Sequence, residues 1–182
     1  MNTLNNNNLE IVLNKPMDNF DIKKYLPNVK IIKFSDFKRF RNIDELLPNN
    51  TDYCIVLNEY QPEDGHWTAI LKYNNIIECF DSIFCEPEKV LKQNTNSQNK
   101  MLGQFTGDLK KLLRNPKYKA IYNKTKYQND AFADCGRHCV FRIMNLIKFG
   151  FDLNKYDDYL KSKKKYDDTT FDEIVSFYID KI

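Results

Sequence analysis

The chain has 182 residues, 42% of them hydrophobic and 14% aromatic, with 28 Lys and Arg against 25 Asp and Glu for a net charge of +3. That composition supplies a core for one compact domain and excludes a disordered polyelectrolyte, while so small a net charge does not mark a nucleic-acid-binding protein. Five cysteines, an odd number without the paired spacings of secreted scaffolds, read as reduced thiols; neither a signal-peptide pattern nor an apolar run long enough for a membrane span is present.

In chain order, the polar run Asn5 to Asn8 leads into Leu9, Ile11, Val12 and Leu13, a short first helix that ends before Pro16. Val29 to Phe34 alternates as a strand, and Tyr53 to Leu57 is a continuous apolar run suited to a buried central strand. His66 to Tyr73 is β-branched and apolar, turns at Asn74-Asn75, and returns through Ile76 to Asp81 as a hairpin, since both asparagines tolerate positive φ. Pro87 to Gln93 reads as a short helix, Asn94 to Asn99 as a mobile polar loop, Asp108 to Arg114 as a helix and Lys119 to Tyr122 as one more strand. The final third is helical. A helix opens near Cys135 with the periodic apolar residues Val140, Ile143, Met144 and Ile147 and closes at Gly150, and Thr170-Phe171-Asp172-Glu173 fits a capping box for a last helix. The expected fold is α+β, a mostly antiparallel sheet packed by helices in one domain over residues 1–182.

Cys135 carries the strongest chemical signal. A thiol in the first turn of a helix meets the half-positive end of the helix dipole, which favours a thiolate nucleophile. The chain holds only two histidines. His66, at the start of one hairpin strand, can face Asp81 at the end of its neighbour, which suits a base oriented by a carboxylate. Gln128, seven residues before Cys135 in a polar loop, can donate to an oxyanion together with the Cys135 N–H. His138 is expected on the partly exposed side of the helix, where its replacement would cost little. Cys54, Cys79 and Cys139 read as core residues. A zinc site from Cys135, His138 and Cys139 with Cys79 or Cys85 has poor ligand spacing, and no cofactor is called for.

The ordered set His66-Trp67, Phe80-Asp81-Ser82, Gln128 and Asp134-Cys135-Gly136 resembles the adenovirus-proteinase and ubiquitin-like-protein protease superfamily of cysteine peptidases, over residues 53–149. Cys-Gly-Arg-His-Cys looks most like the capsid-maturation proteases of virophages and large DNA viruses. The resemblance implies an adenovirus-proteinase-like fold and a cysteine endopeptidase with Cys135 as nucleophile, His66 as base and acid, Asp81 as orienting carboxylate and Gln128 as oxyanion donor. It implies substrate contacts at Trp67 and Gly136, with Trp67 roofing a tunnel that admits small residues such as glycine. Because Trp67 is the only tryptophan, the other wall must be built differently. The implied partners are capsid or core precursors, met by a monomer in a virion or infected-cell cytoplasm. A DNA or peptide activator is a secondary expectation, with Lys110 to Lys119 and Lys161 to Lys165 as the basic stretches. Removal of ubiquitin-like modifiers is the alternative activity, and a non-catalytic interaction domain the alternative outside enzymes.

Overall fold

The computed structural model describes residues 14–164 and 169–181. The expected helix before Pro16 lies outside these residues, as does part of the Lys161 to Lys165 stretch. The described elements are helix α1 (Asn19–Tyr25), strand β1 (Lys30–Lys33), a 3-10 turn (Phe34–Arg39), α2 (Ile43–Leu46), β2 (Asp52–Gln61), β3 (Asp64–Tyr73) and β4 (Ile76–Phe80). A second 3-10 turn (Lys89–Gln93), α3 (Asn96–Met101), α4 (Asp108–Leu113), β5 (Lys119–Tyr122), α5 (Cys135–Phe149), α6 (Leu153–Lys163), α7 (Phe171–Tyr178) and a closing 3-10 turn (Ile179–Lys181) follow. Among the described residues no helix is long and apolar enough to cross a membrane.

The architecture is α+β around one mixed sheet in the order β1-β2-β3-β4-β5. The central ladders β2/β3 and β3/β4 are antiparallel, and both edge strands, β1 and β5, pair parallel. An expectation built on local hairpins finds the two central ladders; the parallel edges are long-range pairings that no turn residue announces. Tyr73 pairs with Ile76 across Asn74 and Asn75, whose φ values of 47° and 58° are those of a primed two-residue turn. The β2 strand runs past its apolar segment to Gln61, with a register shift between Glu59 and Gln61.

Helices cover both faces, which explains why the central strands are apolar in consecutive positions. Ile55, Leu57, Trp67, Ala69, Leu71 and Phe80 share a core with Val140, Phe141 and Ile143 of α5, Tyr156 of α6 and Val175 of α7. Cys54, Val56, Ile70 and Cys79 point the other way, onto Phe34, Phe37, Leu46, Leu91 and Leu112. Within α5, Ile147 falls off the buried stripe and is 45% exposed. The segment expected to be a mobile loop is instead helix α3: Thr95 and Gln98 form a reciprocal capping box, and the buried Asn99 amide donates to Leu91 O.

Gly150, at φ 64°, ends α5 as expected, and Thr170 with Glu173 forms the capping box of α7. The sequence also hides a buried ion pair. Arg142 Nε and Nη2 meet Glu78 Oε1 and Oε2 of β4 at 2.7 and 2.6 Å, and the Tyr73 hydroxyl donates to Glu78 Oε2 at 2.5 Å. The guanidinium also lies 5.0 Å from the centre of the Tyr156 ring. Replacing Arg142 by Ala leaves a buried carboxylate without its cation, so urea denaturation should show a loss of about 3–5 kcal/mol. The double replacement Arg142→Met with Glu78→Leu should recover most of it.

Candidate active site

His66 lies near the start of β3, and Asp81 is the first residue past β4. The β3/β4 ladder ends at Ala69 opposite Phe80, so both residues sit just beyond the last pair, on neighbouring strands. His66 Nε2 meets Asp81 Oδ1 at 2.9 Å. The same oxygen accepts the N–H groups of Ile83 and Phe84 at 2.9 and 3.0 Å, which holds the carboxylate by its own turn. With Nε2 given to Asp81, the other ring nitrogen, Nδ1, is left for the Cys135 side. Phe84 closes one flank of the imidazole edge-on, with ring centroids 5.5 Å apart.

Cys135 opens α5, and its sulfur accepts the Trp67 N–H at 3.4 Å. Burial pushes the His66 imidazole down, but the charge of the Cys135 sulfur and the Asp81 carboxylate outweigh it and raise its pKa to about 10. Burial pushes Cys54 up to about 12 and Cys79 and Cys139 well above the ordinary thiol range, and Cys139 donates to Trp67 O at 3.4 Å.

Gln128 follows β5 in a loop fastened to the end of β4 by Ser82. The Ser82 carbonyl accepts the N–H groups of Tyr127 and Gln128 at 2.9 and 3.0 Å, and its hydroxyl donates to Gln128 Oε1 at 2.7 Å. Gln128 Nε2 donates to Phe132 O at 2.7 Å. An amide nitrogen carries two N–H bonds, and this contact uses one. His66, Trp67, Gln128 and Cys135 line one cleft of about 460 Å³.

Two contributors escaped the sequence reading. Asn123, just after β5, clamps Asp81 through its main chain: Oδ1 accepts the Asp81 N–H at 3.0 Å and Nδ2 donates to the Asp81 carbonyl at 2.8 Å. The alternation of β5 ends at Tyr122, so only the parallel pairing with β4 reveals that clamp. Met17 faces Trp67, whose indole Nε1 donates to the Met17 carbonyl at 2.9 Å. A Cβ on Gly136 would stand 2.9 Å from Met17 Cβ and 3.3 Å from Trp67 Cδ1, so Gly136 lets these two side chains close over the start of α5.

His138 is a correction. It is fully buried rather than partly exposed, with Nε2 3.0 Å from Asp172 Oδ1 and 3.6 Å from Asp134 Oδ2. A position one turn into α5 becomes interior because α7 packs across it, which the helix periodicity alone does not disclose. Burial raises the Asp134 carboxyl to about 6, opposed by His138 and reinforced by Asp172. Among the described residues, Asp134, His138 and Asp172 form the grouping with metal-ligand spacing, and the cysteines take no part in it.

No protein-family model, no curated protein and no solved structure matches this chain. The candidate site therefore rests on its own geometry: a thiol, an imidazole and a carboxylate in sequence, with an amide lining the same cleft as the thiol and the imidazole. The imidazole state is directly measurable, because only two histidines contribute ring signals. In an NMR titration His66 should keep its proton through neutral pH and lose it only as the pH rises toward about 10. Cys135→Ala removes the larger upward influence, so the midpoint should move to lower pH; an unmoved midpoint would separate the two side chains.

Proposed function

We propose that the chain is a cysteine endopeptidase that cuts protein precursors after small residues, of the kind that matures viral capsids. The observation carrying this reading is the line Asp81–His66–Cys135: one imidazole, tied by Nε2 to a turn-held carboxylate at 2.9 Å, with the thiol of a helix N-terminal residue on its other side. Chain order His66, Asp81, Gln128, Cys135 and the Trp67 and Gly136 neighbours support assignment to the adenovirus-proteinase-like group.

In the proposed reaction His66 takes the Cys135 proton, the resulting thiolate attacks the scissile carbonyl, and the Cys135 N–H and the second Gln128 N–H receive the oxyanion. His66 gives its proton to the leaving amine as the C–N bond breaks, then takes one from the water that hydrolyses the thioester. Asp81 keeps Nε2 engaged throughout. The tight approach of Met17 and Trp67 over Gly136 supports a preference for small residues before the cleaved bond. This closure, built by a methionine rather than a second tryptophan, favours precursor cleavage over strict diglycine recognition.

The test is incubation of the purified protein with a denatured proteome containing ubiquitin-like modifiers, followed by mass-spectrometric sequencing of new N-termini. New ends should follow glycine or another small residue and vanish with Cys135→Ala; equal patterns from the two proteins would sink the peptidase reading, and ends confined to modifier junctions would favour deconjugation. With a cleaved peptide in hand, Asp81→Asn should remain folded and lose roughly a hundredfold or more in kcat, by analogy with the misoriented triad histidine. Near-normal turnover in that variant would remove Asp81 from the mechanism.

A further inference from the structure

The two groups proposed to hold the oxyanion lie on separate pieces of chain: the Cys135 N–H opens α5, and the Gln128 amide belongs to the loop after β5. Their relative placement needs a tie, and one buried side chain touches both pieces. Asp172, in the first turn of α7 and 1% exposed, accepts the Asn129 N–H on Oδ1 and Oδ2 at 3.3 and 3.2 Å. Its Oδ1 also meets His138 Nε2 of α5 at 3.0 Å. Asn129 directly follows Gln128, and His138 lies three residues after Cys135.

We propose that Asp172 is a positioning residue, holding the Gln128 loop and the first turn of α5 in register so that both oxyanion donors converge on one point. Gln128 is then bracketed: Ser82 fixes its main chain and side chain on the β4 side, and Asp172 fixes the next peptide on the α7 side. The carboxylate suits this task because it takes donors from two directions, and charged acceptors make the stronger bonds. Both Asp172 oxygens are engaged by N–H donors, which favours a tie between chain segments over a cation site at the Asp134, His138 and Asp172 grouping. Asp172 is thereby distinct from the charge line of His66 and Asp81 and acts on a different step.

This inference rests on the peptidase reading, and its test separates the two. Asp172→Asn puts an amide N–H where Asn129 or His138 offers one, so kcat should fall about tenfold or more, short of the hundredfold typical for removal of an oxyanion donor. KM should stay within about twofold, since the cleft walls are untouched. Alkylation of Cys135 by iodoacetamide forms no oxyanion, so its rate should stay within about threefold of wild type while turnover drops. In a Gln128→Ala background the Asp172→Asn loss should largely disappear, as expected for a residue acting through Gln128.

Unchanged kcat in Asp172→Asn, alkylation falling in step with kcat, or losses that multiply in the double variant would each overturn the assignment. Should Asp172→Asn not fold, Asp172→Glu keeps the charge and shifts the carboxylate by one methylene, and the same split between turnover and alkylation decides. Wild-type protein that alkylates at Cys135 but turns over no peptide counts against the peptidase reading; wild-type turnover with an unimpaired Asp172→Asn counts against Asp172 alone.

Discussion

The main chain of Trp67 is the constraint on which the arrangement turns. Where the β3/β4 ladder stops at Ala69 and Phe80, Trp67 would otherwise present an unpaired N–H and C=O inside the protein. Helix α5 supplies both partners from thiols one turn apart, Cys135 accepting from the N–H and Cys139 donating to the carbonyl, each at 3.4 Å. The helix therefore continues the hydrogen bonding that β4 abandons. Its first turn comes to rest beside residue 66, so the proximity of His66 and Cys135 follows from satisfying the main-chain N–H and C=O of one residue. Arg142, seven residues on, fastens the same helix to Glu78 of β4, and these three side chains set how α5 lies on the sheet.

The second fixed point is the turn that begins at Asp81. Its carboxylate accepts two N–H groups from its own turn as well as the imidazole, so it does not depend on His66 for its orientation. Its backbone is held in turn by Asn123, which arrives only because β5 pairs parallel to β4. Ser82, the next residue, anchors the Gln128 loop. Two successive residues thus orient the imidazole and the amide, and a shift of this turn would move both groups together.

What could be read from the sequence follows the range of the interaction responsible. The Asn74-Asn75 hairpin, the Gly150 cap and the Thr170-Glu173 box are set within four residues and were legible. The candidate set His66, Asp81, Gln128 and Cys135 stands out as an ordered pattern of residue types, and the structure brings all four to one neighbourhood. His138, Arg142 and Asn123 were not, because a buried polar residue looks like a surface one until its partner is known. Asp172, Glu78 and Asp81 supply those partners from 34, 64 and 42 residues away. Helix α3 was missed for a related reason: asparagine-rich chain reads as loop, and its Thr95-Gln98 box and the Asn99 to Leu91 bond outweigh weak helix propensity.

The charge balance of the centre bears on how such a site can work. Desolvation acts against a charged imidazole, yet His66 is lifted to about 10 by the sulfur and carboxylate on its two sides. In the proposed chemistry the thiol proton passes to His66, where the sulfur and the carboxylate favour the imidazolium, so the imidazole is charged when the departing amine needs an acid. The imidazolium holds its proton more firmly while a thiolate stands beside it. Attack on a carbonyl moves the negative charge from sulfur to oxygen, toward the Cys135 N–H and the Gln128 amide, and so removes the larger of the two upward influences. The same step that forms the tetrahedral oxyanion thus makes His66 a better donor when the amine needs a proton. That coupling requires the oxyanion donors to be in place before attack, which is why the attachments of the Gln128 loop to Ser82 and Asp172 matter to a proton held on the other side of the sulfur.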